Sequence, residues 1–376
     1  MKHYVVASLS LLASTAALAQ SSVTLYGLID EGFGYTSNAG GKSAWQMQSG
    51  WVAGDRWGLK GNEDLGGGLS AIFTLENGFN LNNGALGNAG RIFGRQAFVG
   101  IQTANYGSLT FGRQYDSIVD FLAPLTANGG YAGWPFAHPF DNDNTDETFR
   151  VNNAIKYTSP KFYGAQFGGL YAFSNQAGGF ADNRLFSVGA SYTGGALSLA
   201  ATYLQADHPG LGTNGALVGD TNFTAKRQQV WGAAALYAIS SLTLGFNYTH
   251  TTLQSPTGSV YFGNFAVTPD SLKFDNFEVS AKYQFTPFLS AIAMYTYTQG
   301  RLDSSGKQEK PKWHQGGLMV DYYLSKRTDL YAQAAYQHVT GDTTGTALDQ
   351  AFITGSAGAA SGRSQVLCRI GMKHTF

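Results

Sequence analysis

The sequence predicts an all-β protein, a sixteen-stranded antiparallel transmembrane β-barrel with a long third loop folded into its lumen. Three observations predict it. From Val23 to Phe376, short segments alternate apolar and polar residues with period two, the signature of strands with one apolar face. The connections between them alternate short and long, as the turns and outer loops of an up-and-down membrane barrel do. One connection, residues 116–150, is far longer than a compact fold ordinarily carries without a function for it.

The chain has 376 residues. Lys2 and His3, the apolar run Val5 to Leu12 and the A-x-A site Ala17-Leu18-Ala19 read as a cleaved secretory signal peptide, residues 1–19. Its apolar centre is too short to anchor the chain as a spanning helix. Residues 20–376 then form one barrel domain, with residues 116–150 as its constriction loop. Loss of the leader removes Lys2 and no acid, leaving 23 basic against 24 acidic residues, so no basic excess points to nucleic acid. Cys368 is alone, which rules out an intrachain disulfide. The chain holds 49 Gly, 21 Tyr and 25 Phe, and only 13% of it is charged. After the leader no window approaches eighteen apolar residues, so helical spans are excluded, while Gly- and aromatic-rich alternation fits an outer-membrane barrel.

Parity assigns the faces strand by strand. Val23, Leu25, Gly27 and Ile29 form an apolar row opposite Tyr26 and Asp30. Trp57 and Leu59 oppose Arg56, Lys60 and Asn62; after the turn Gly66–Gly68, Leu69, Ala71, Phe73 and Leu75 oppose Ser70, Thr74 and Glu76, completing a hairpin. Ile155 and Tyr157 oppose Arg150, Asn152 and Lys156. The rows Phe186–Tyr192, Leu197–Tyr203 and Leu242–Tyr248 repeat the pattern, and Phe277, Val279, Ala281, Tyr283 and Phe285 oppose Glu278, Ser280, Lys282 and Gln284. Short turns centre on 66–68, 105–107, 160–164, 194–195, 240–241, 286–288 and 325–329; long polar connections fall near 36–54, 77–91, 116–150, 174–184, 205–226, 251–274, 300–311 and 340–364. These seven short and eight long connections separate about sixteen strands.

A strand face carrying Arg, Lys, Glu and Gln suits a watery lumen, with the apolar face turned to lipid. An open sheet edge does not survive in hydrocarbon, so the sheet must close. Tyr203, Tyr248, Tyr283 with Phe285, and Tyr322 with Tyr323 stand near strand ends, where aromatic belts meet the membrane surfaces. The long segment opens with Phe111-Gly112-Arg113-Gln114-Tyr115-Asp116 and closes with Phe149-Arg150. Pro124, Gly129, Gly130, Gly133, Pro135 and Pro139 break any period within it, and the acidic run Asp141 to Glu147 ends it.

Several motifs, in order and spacing, resemble the general porins of Gram-negative outer membranes, most closely their β-proteobacterial branch. They are Val23-Thr24-Leu25-Tyr26-Gly27, Arg56-Trp57-Gly58-Leu59-Lys60-Gly61, Phe73-Thr74-Leu75-Glu76, Gly94-Arg95-Gln96-Ala97-Phe98-Val99-Gly100, Gly112-Arg113-Gln114-Tyr115, Tyr157-Thr158-Ser159-Pro160 and Leu324-Ser325-Lys326-Arg327-Thr328, ending on Phe376. The resemblance covers essentially the whole mature chain. It implies a homotrimer in outer-membrane lipid, passive diffusion of small hydrophilic solutes and ions, no cofactor, and a third loop facing a basic wall. Carried over, that wall is Arg56, Arg95 and Arg150 with Arg113 close by, and the acids to oppose it are Glu76, Asp116 and Asp120. Parity independently puts Arg56 and Arg150 on the lumen face, whereas Arg95 shares its parity with Phe93, Ala97 and Val99. Val366, Cys368, Ile370, Met372, His374 and Phe376 share one face, resembling the terminal signal read by the barrel-assembly machinery.

One departure bears on selectivity. Where enteric porins carry Pro-Glu-Phe-Gly-Gly, this loop has Pro124-Leu125-Thr126-Ala127-Asn128, so an acid is missing and a mild anion preference follows, unless Asp141, Asp143, Asp146 and Glu147 reach the eyelet instead. Two other readings compete with a pore. A structural barrel or adhesin would be plugged, against the polar lumen face. A barrel phospholipase would place Ser two residues after its catalytic His, and neither His338 nor His138, His208, His250 and His314 has one; no His-x-x-x-His metal spacing occurs.

Overall fold

The computed structural model describes residues 22–376, so the leader assigned to residues 1–19 lies outside the described residues. The chain forms a closed barrel of sixteen antiparallel strands. In order they are β1 (Ser22–Ala39), β2 (in two pieces, Lys42–Ser49 and Arg56–Gly66), β3 (Leu69–Gly78), β4 (Gln96–Thr103), β5 (Gly107–Gln114), β6 (Val151–Thr158), β7 (Ala165–Ala172) and β8 (Arg184–Gly194). They continue as β9 (Leu197–Asp207), β10 (Arg227–Ile239), β11 (Leu242–Gln254), β12 (Ser271–Thr286), β13 (Leu289–Ser304), β14 (Lys307–Glu309 and Pro311–Tyr323), β15 (Thr328–Gly341) and β16 (Ser364–Thr375). Each pairs with the next, and β1 closes on β16 from Leu28↔Thr375 to Thr36↔Leu367. Phe376 finishes the seam through paired backbone bonds with Gly27 at 3.1 and 3.0 Å.

Burial is inverted relative to a water-soluble protein. On β12, Asn276 and Glu278 are fully buried while Phe277 and Val279 stand 41% and 51% exposed. On β11, Asn247, Thr249 and Thr251 are buried and Leu244 and Phe246 exposed; on β16, Arg369 is buried between exposed Cys368 and Ile370. Apolar area left in water costs about 25 cal/mol per Å², so rows of this length are stable only against lipid.

Two connections read as long loops are instead strand extensions. β1 runs to Ala39, turns through Gly40 and Gly41 at positive φ, and re-enters β2 at Lys42. Its outward aromatics continue the alternation there, with Phe33 stacked on Trp45 at 5.3 Å. Likewise β13 extends to Ser304 and turns through Ser305 and Gly306. The true interruption of β2 is Gly50 to Asp55, where the chain dips inward: Val52 and Ala53 donate backbone N–H to Asp30 Oδ2 at 2.6 and 3.0 Å, and Trp51 is fully buried.

The segment from Asp116 to Arg150 folds as a succession of short helical turns beginning at Ile118–Leu122. It reaches the buried faces of distant strands. Ser117 N bonds Ser187 Oγ on β8 at 3.0 Å and Ala127 N bonds Glu278 Oε1 on β12 at 2.8 Å. Gln315 Nε2 on β14 donates to Pro135 and Ala137 carbonyls at 3.1 and 3.0 Å, and Gln333 Nε2 on β15 to Ala132 at 2.6 Å. Apolar clusters fill the space between segment and wall: Ile118, Leu122 and Phe149 with Leu170, Leu185 and Leu204, and Phe140 among Phe274, Trp313 and Phe352. Gly133, at φ +68°, lies so close to the Trp51 carbonyl that no Cβ fits, and Trp134 N bonds that carbonyl at 2.9 Å. The β2 excursion and the long segment therefore dock backbone to backbone.

Candidate functional site: a charged cavity beside the long segment

An open cavity of about 470 Å³ lies between the long segment, the ends of β2 to β4 and the outer loops. Its lining includes Arg95 and Arg150, the carboxylates Asp146, Glu147 and Asp220, and the aromatic Tyr261.

Of the four expected arginines, Arg95 and Arg150 line the cavity and Arg56 and Arg113 do not, and each is turned inward by its own local device. Arg56 and Arg150 follow strand parity. Arg95 does not: Val99 of the same parity is 58% exposed, yet Arg95 is buried. The reason is that Arg95 precedes the β4 ladder, which starts at Gln96, so alternation does not bind it; its N–H is held by the Glu76 carbonyl at 3.2 Å. Arg113 also shares parity with an outward residue, Phe111, and is turned in by a β-bulge between Gly112 and Gln114. A bulge re-aims one side chain, and this one needs glycine: Gly112 sits at φ +132° against the Ala97 carbonyl with no room for a Cβ.

The basic groups are tied to acids. Arg95 Nε meets Glu76 Oε1 at 2.9 Å, and its NH2 meets Tyr115 OH at 2.7 Å and Glu147 Oε2 at 3.1 Å. Arg150 bonds the same Glu147 oxygen at 3.0 Å and stacks over the Tyr115 ring at 5.2 Å. Arg113 pairs with Asp220 and donates to the Gly94 carbonyl at 2.7 Å and Asn152 Oδ1 at 2.6 Å. Arg56 is the exception: its Nε donates to the Gly54 carbonyl at 2.9 Å, and it has no ion pair among the described residues.

The acids separate by environment. Burial raises the Glu147 carboxyl, but Arg95, Arg150 and Arg56 outweigh it and hold the group at about 2. Asp146 is pushed well above the carboxylate range by burial, with Asp141 and Glu147 adding to the effect. Behind them, burial and the charge of Asp143 raise Asp141 to about 7. Fully buried His138 bridges Asp143 at 2.6 Å and Glu278 at 3.4 Å; burial disfavours its cation, yet the two carboxylates raise it to about 10.

Of the acids expected to oppose the arginines, Glu76 is paired directly with Arg95 and accepts from Tyr26 OH at 2.9 Å. Asp116 is not brought to the cavity. It is fully buried, taking Ile118 N–H and Asn144 Nδ2 at 2.7 Å each, and burial raises it to about 6. Its place after β5 makes it a local loop cap rather than a lining group. Asp120 is solvent-accessible and paired with Lys156 Nζ at 2.7 Å. Asp146 and Glu147, left open in the sequence, do line the cavity, whereas Asp141 and Asp143 are buried behind it. Asp220 went unrecognised, because it lies in a polar connection with neither parity nor a motif to mark it.

Residues 5–342 match the family described as Gram-negative porin. An outer membrane porin protein of Bordetella pertussis is 32% identical over 360 residues, covering 85% of this chain and 90% of its own. Outer membrane porin protein 32 of Delftia acidovorans is 31% identical over 389 residues, spanning the whole of both chains. Among solved structures, the anion-selective porin from Comamonas acidovorans superposes with a TM-score of 0.71 at 24% identity, over 95% of this chain and 100% of that one. The trimer form of OmpT from Vibrio cholerae gives 0.67 at 16% identity, over 95% and 99%. With a closed barrel, an inverted wall and a family match along most of its length, this chain belongs to the Gram-negative porins of the outer membrane.

Proposed function

We propose that the chain forms a water-filled outer-membrane channel for passive diffusion of small hydrophilic solutes and ions, narrowed by residues 116–150 facing Arg56, Arg95, Arg113 and Arg150, with a mild preference for anions. The observation that carries this reading is the pairing pattern of the arginine cluster in and around the cavity. Arg95 pairs with Glu76 and Glu147, Arg150 with Glu147 and Arg113 with Asp220, while Asp55 also stands in the lining and burial pushes Asp146 toward its neutral form. Arg56 is the arginine of the four without an ion pair among the described residues, and on this reading its charge is the one left to act on passing anions. A charge lining a hydrated pore acts on passing ions without the desolvation cost it would carry inside a dry wall. The related Comamonas structure, described as anion-selective, agrees in sign.

Within this reading Asp120 and Lys156 form a balanced pair and Asp116 keeps the loop in shape. Assembly as a homotrimer accords with the trimer form of the Vibrio relative. The exposed row Ile370, Met372 and Phe376 suits both outer-membrane lipid and recognition by the barrel-assembly machinery. Purified protein reconstituted into planar bilayers should give stepwise conductance, and a folded but silent protein refutes the channel. Arg56→Ala should lower the chloride-to-potassium permeability ratio; an unchanged reversal potential in a salt gradient refutes the basic wall.

A further inference from the structure

The connection between β9 and β10, residues 208–226, also enters the barrel. Ala216 and Leu217 are fully buried and pack with Ile118, Leu122 and Phe149 of the long segment. It is tied down at three points: Asn152 N–H donates to the Ala216 carbonyl at 2.9 Å, Arg91 NH2 donates to the Val218 carbonyl at 2.7 Å, and the connection's own Asn222 Nδ2 donates to the Asp141 carbonyl of the long segment at 2.8 Å. These three anchors fix Asp220 at the cavity, where one carboxylate oxygen pairs with Arg113. The other oxygen, in a residue only 9% exposed, has no hydrogen-bond partner among the described residues.

We propose that this connection is a second constriction element and that Asp220 is a selectivity-determining residue, subtracting from the anion preference by cancelling Arg113. The proposal rests on the channel reading above and adds to it a named opposing charge. Loops are where function is usually carried while a rigid scaffold sets their position, and here the scaffold includes the first inserted segment. An orphaned carboxylate oxygen is costly to bury, and the residue that carries it lines the cavity, where its charge acts across the gap on passing ions.

The test is the reversal potential of the reconstituted full-length protein in a KCl gradient at about 0.1 M salt. Asp220→Asn keeps the shape and removes the charge, so the chloride-to-potassium ratio should rise about threefold, the effect of one partly screened charge several ångströms from the ion. Adding Arg113→Gln should bring the ratio back toward that of the parent protein. A rise that persists in the double variant shows that Asp220 acts by pinning the loop, and overturns the proposal. An unchanged ratio in Asp220→Asn, while Arg56→Ala lowers it, overturns the proposal and leaves the channel reading intact. If neither variant moves the ratio, the constriction reading falls and this inference with it.

Discussion

Arg56→Ala isolates the charge that the cavity does not compensate. Arg95 and Arg150 share Glu147, and removing either leaves a half-buried carboxylate short of its partner, so a change in selectivity would be mixed with a change in structure. Arg56 makes one side-chain hydrogen bond, to the Gly54 carbonyl, and no ion pair among the described residues, so its loss leaves no acid without a bonded partner. For an ion about 5 Å from the guanidinium in a water-filled gap, the interaction is about 0.8 kcal/mol, attractive for an anion and equally repulsive for a cation. The difference between the two ions is then about 1.6 kcal/mol before screening. With a Debye length of about 10 Å at 0.1 M, roughly 1 kcal/mol remains, a change of about fivefold in the permeability ratio; at 1 M, with about 3 Å, the change falls below about twofold. Reversal potentials measured at both salt levels test magnitude and screening together. A shift of equal size at the two concentrations refutes an electrostatic role, and no shift at either refutes the assignment of Arg56 to the conduction path.

Three further expectations follow from the loop and its anchors. Glu147 sits at about 2 in the folded protein against an ordinary 4.5, so its stabilising contribution is complete above about pH 4.5 and disappears as pH falls toward 2; Glu147→Gln should flatten the thermal-melting profile over that acid window. His138 is shifted the other way, from 6.5 up to about 10, so its contribution is complete below about pH 6.5 and is lost as pH rises toward 10. His138→Leu leaves Asp143 and Glu278 buried without their cation, a loss of about 3–5 kcal/mol, read as a lower melting temperature by circular dichroism in detergent that is largest at about pH 6 and shrinks as pH rises toward 10. Phe140→Ala empties an aromatic pocket formed with Trp313, Phe274 and Phe352 and should cost about 3–5 kcal/mol, with noisier single-channel currents because it loosens the loop's attachment to the wall. Quiet currents and an unchanged melt in that variant refute the anchoring role.

The wall was legible in the sequence because alternation has one physical cause along every strand: one side meets lipid and the other meets water. Where the ladder holds, parity put Glu278, Asn247 and Val279 on the faces they occupy. It stopped working where the hydrogen-bond ladder stops. Arg95 stands one residue before β4, Arg113 sits on a bulge, and both face inward against their parity. The first long connection was misread for the complementary reason, since its polar composition concealed the outward alternation of Phe33, Tyr35, Trp45 and Met47. The acids were harder still, because a carboxylate's role depends on what surrounds it rather than on where it lies in the chain. Glu147 and Asp146 are adjacent, yet three guanidinium groups hold the first charged, while burial and its acidic neighbours drive the second toward neutrality. The sign of the cavity therefore depends less on how many acids the loop contains than on which of them have an arginine within reach. On the proposed reading, an acid missing after Pro124 matters less to selectivity than Arg56 having no carboxylate partner.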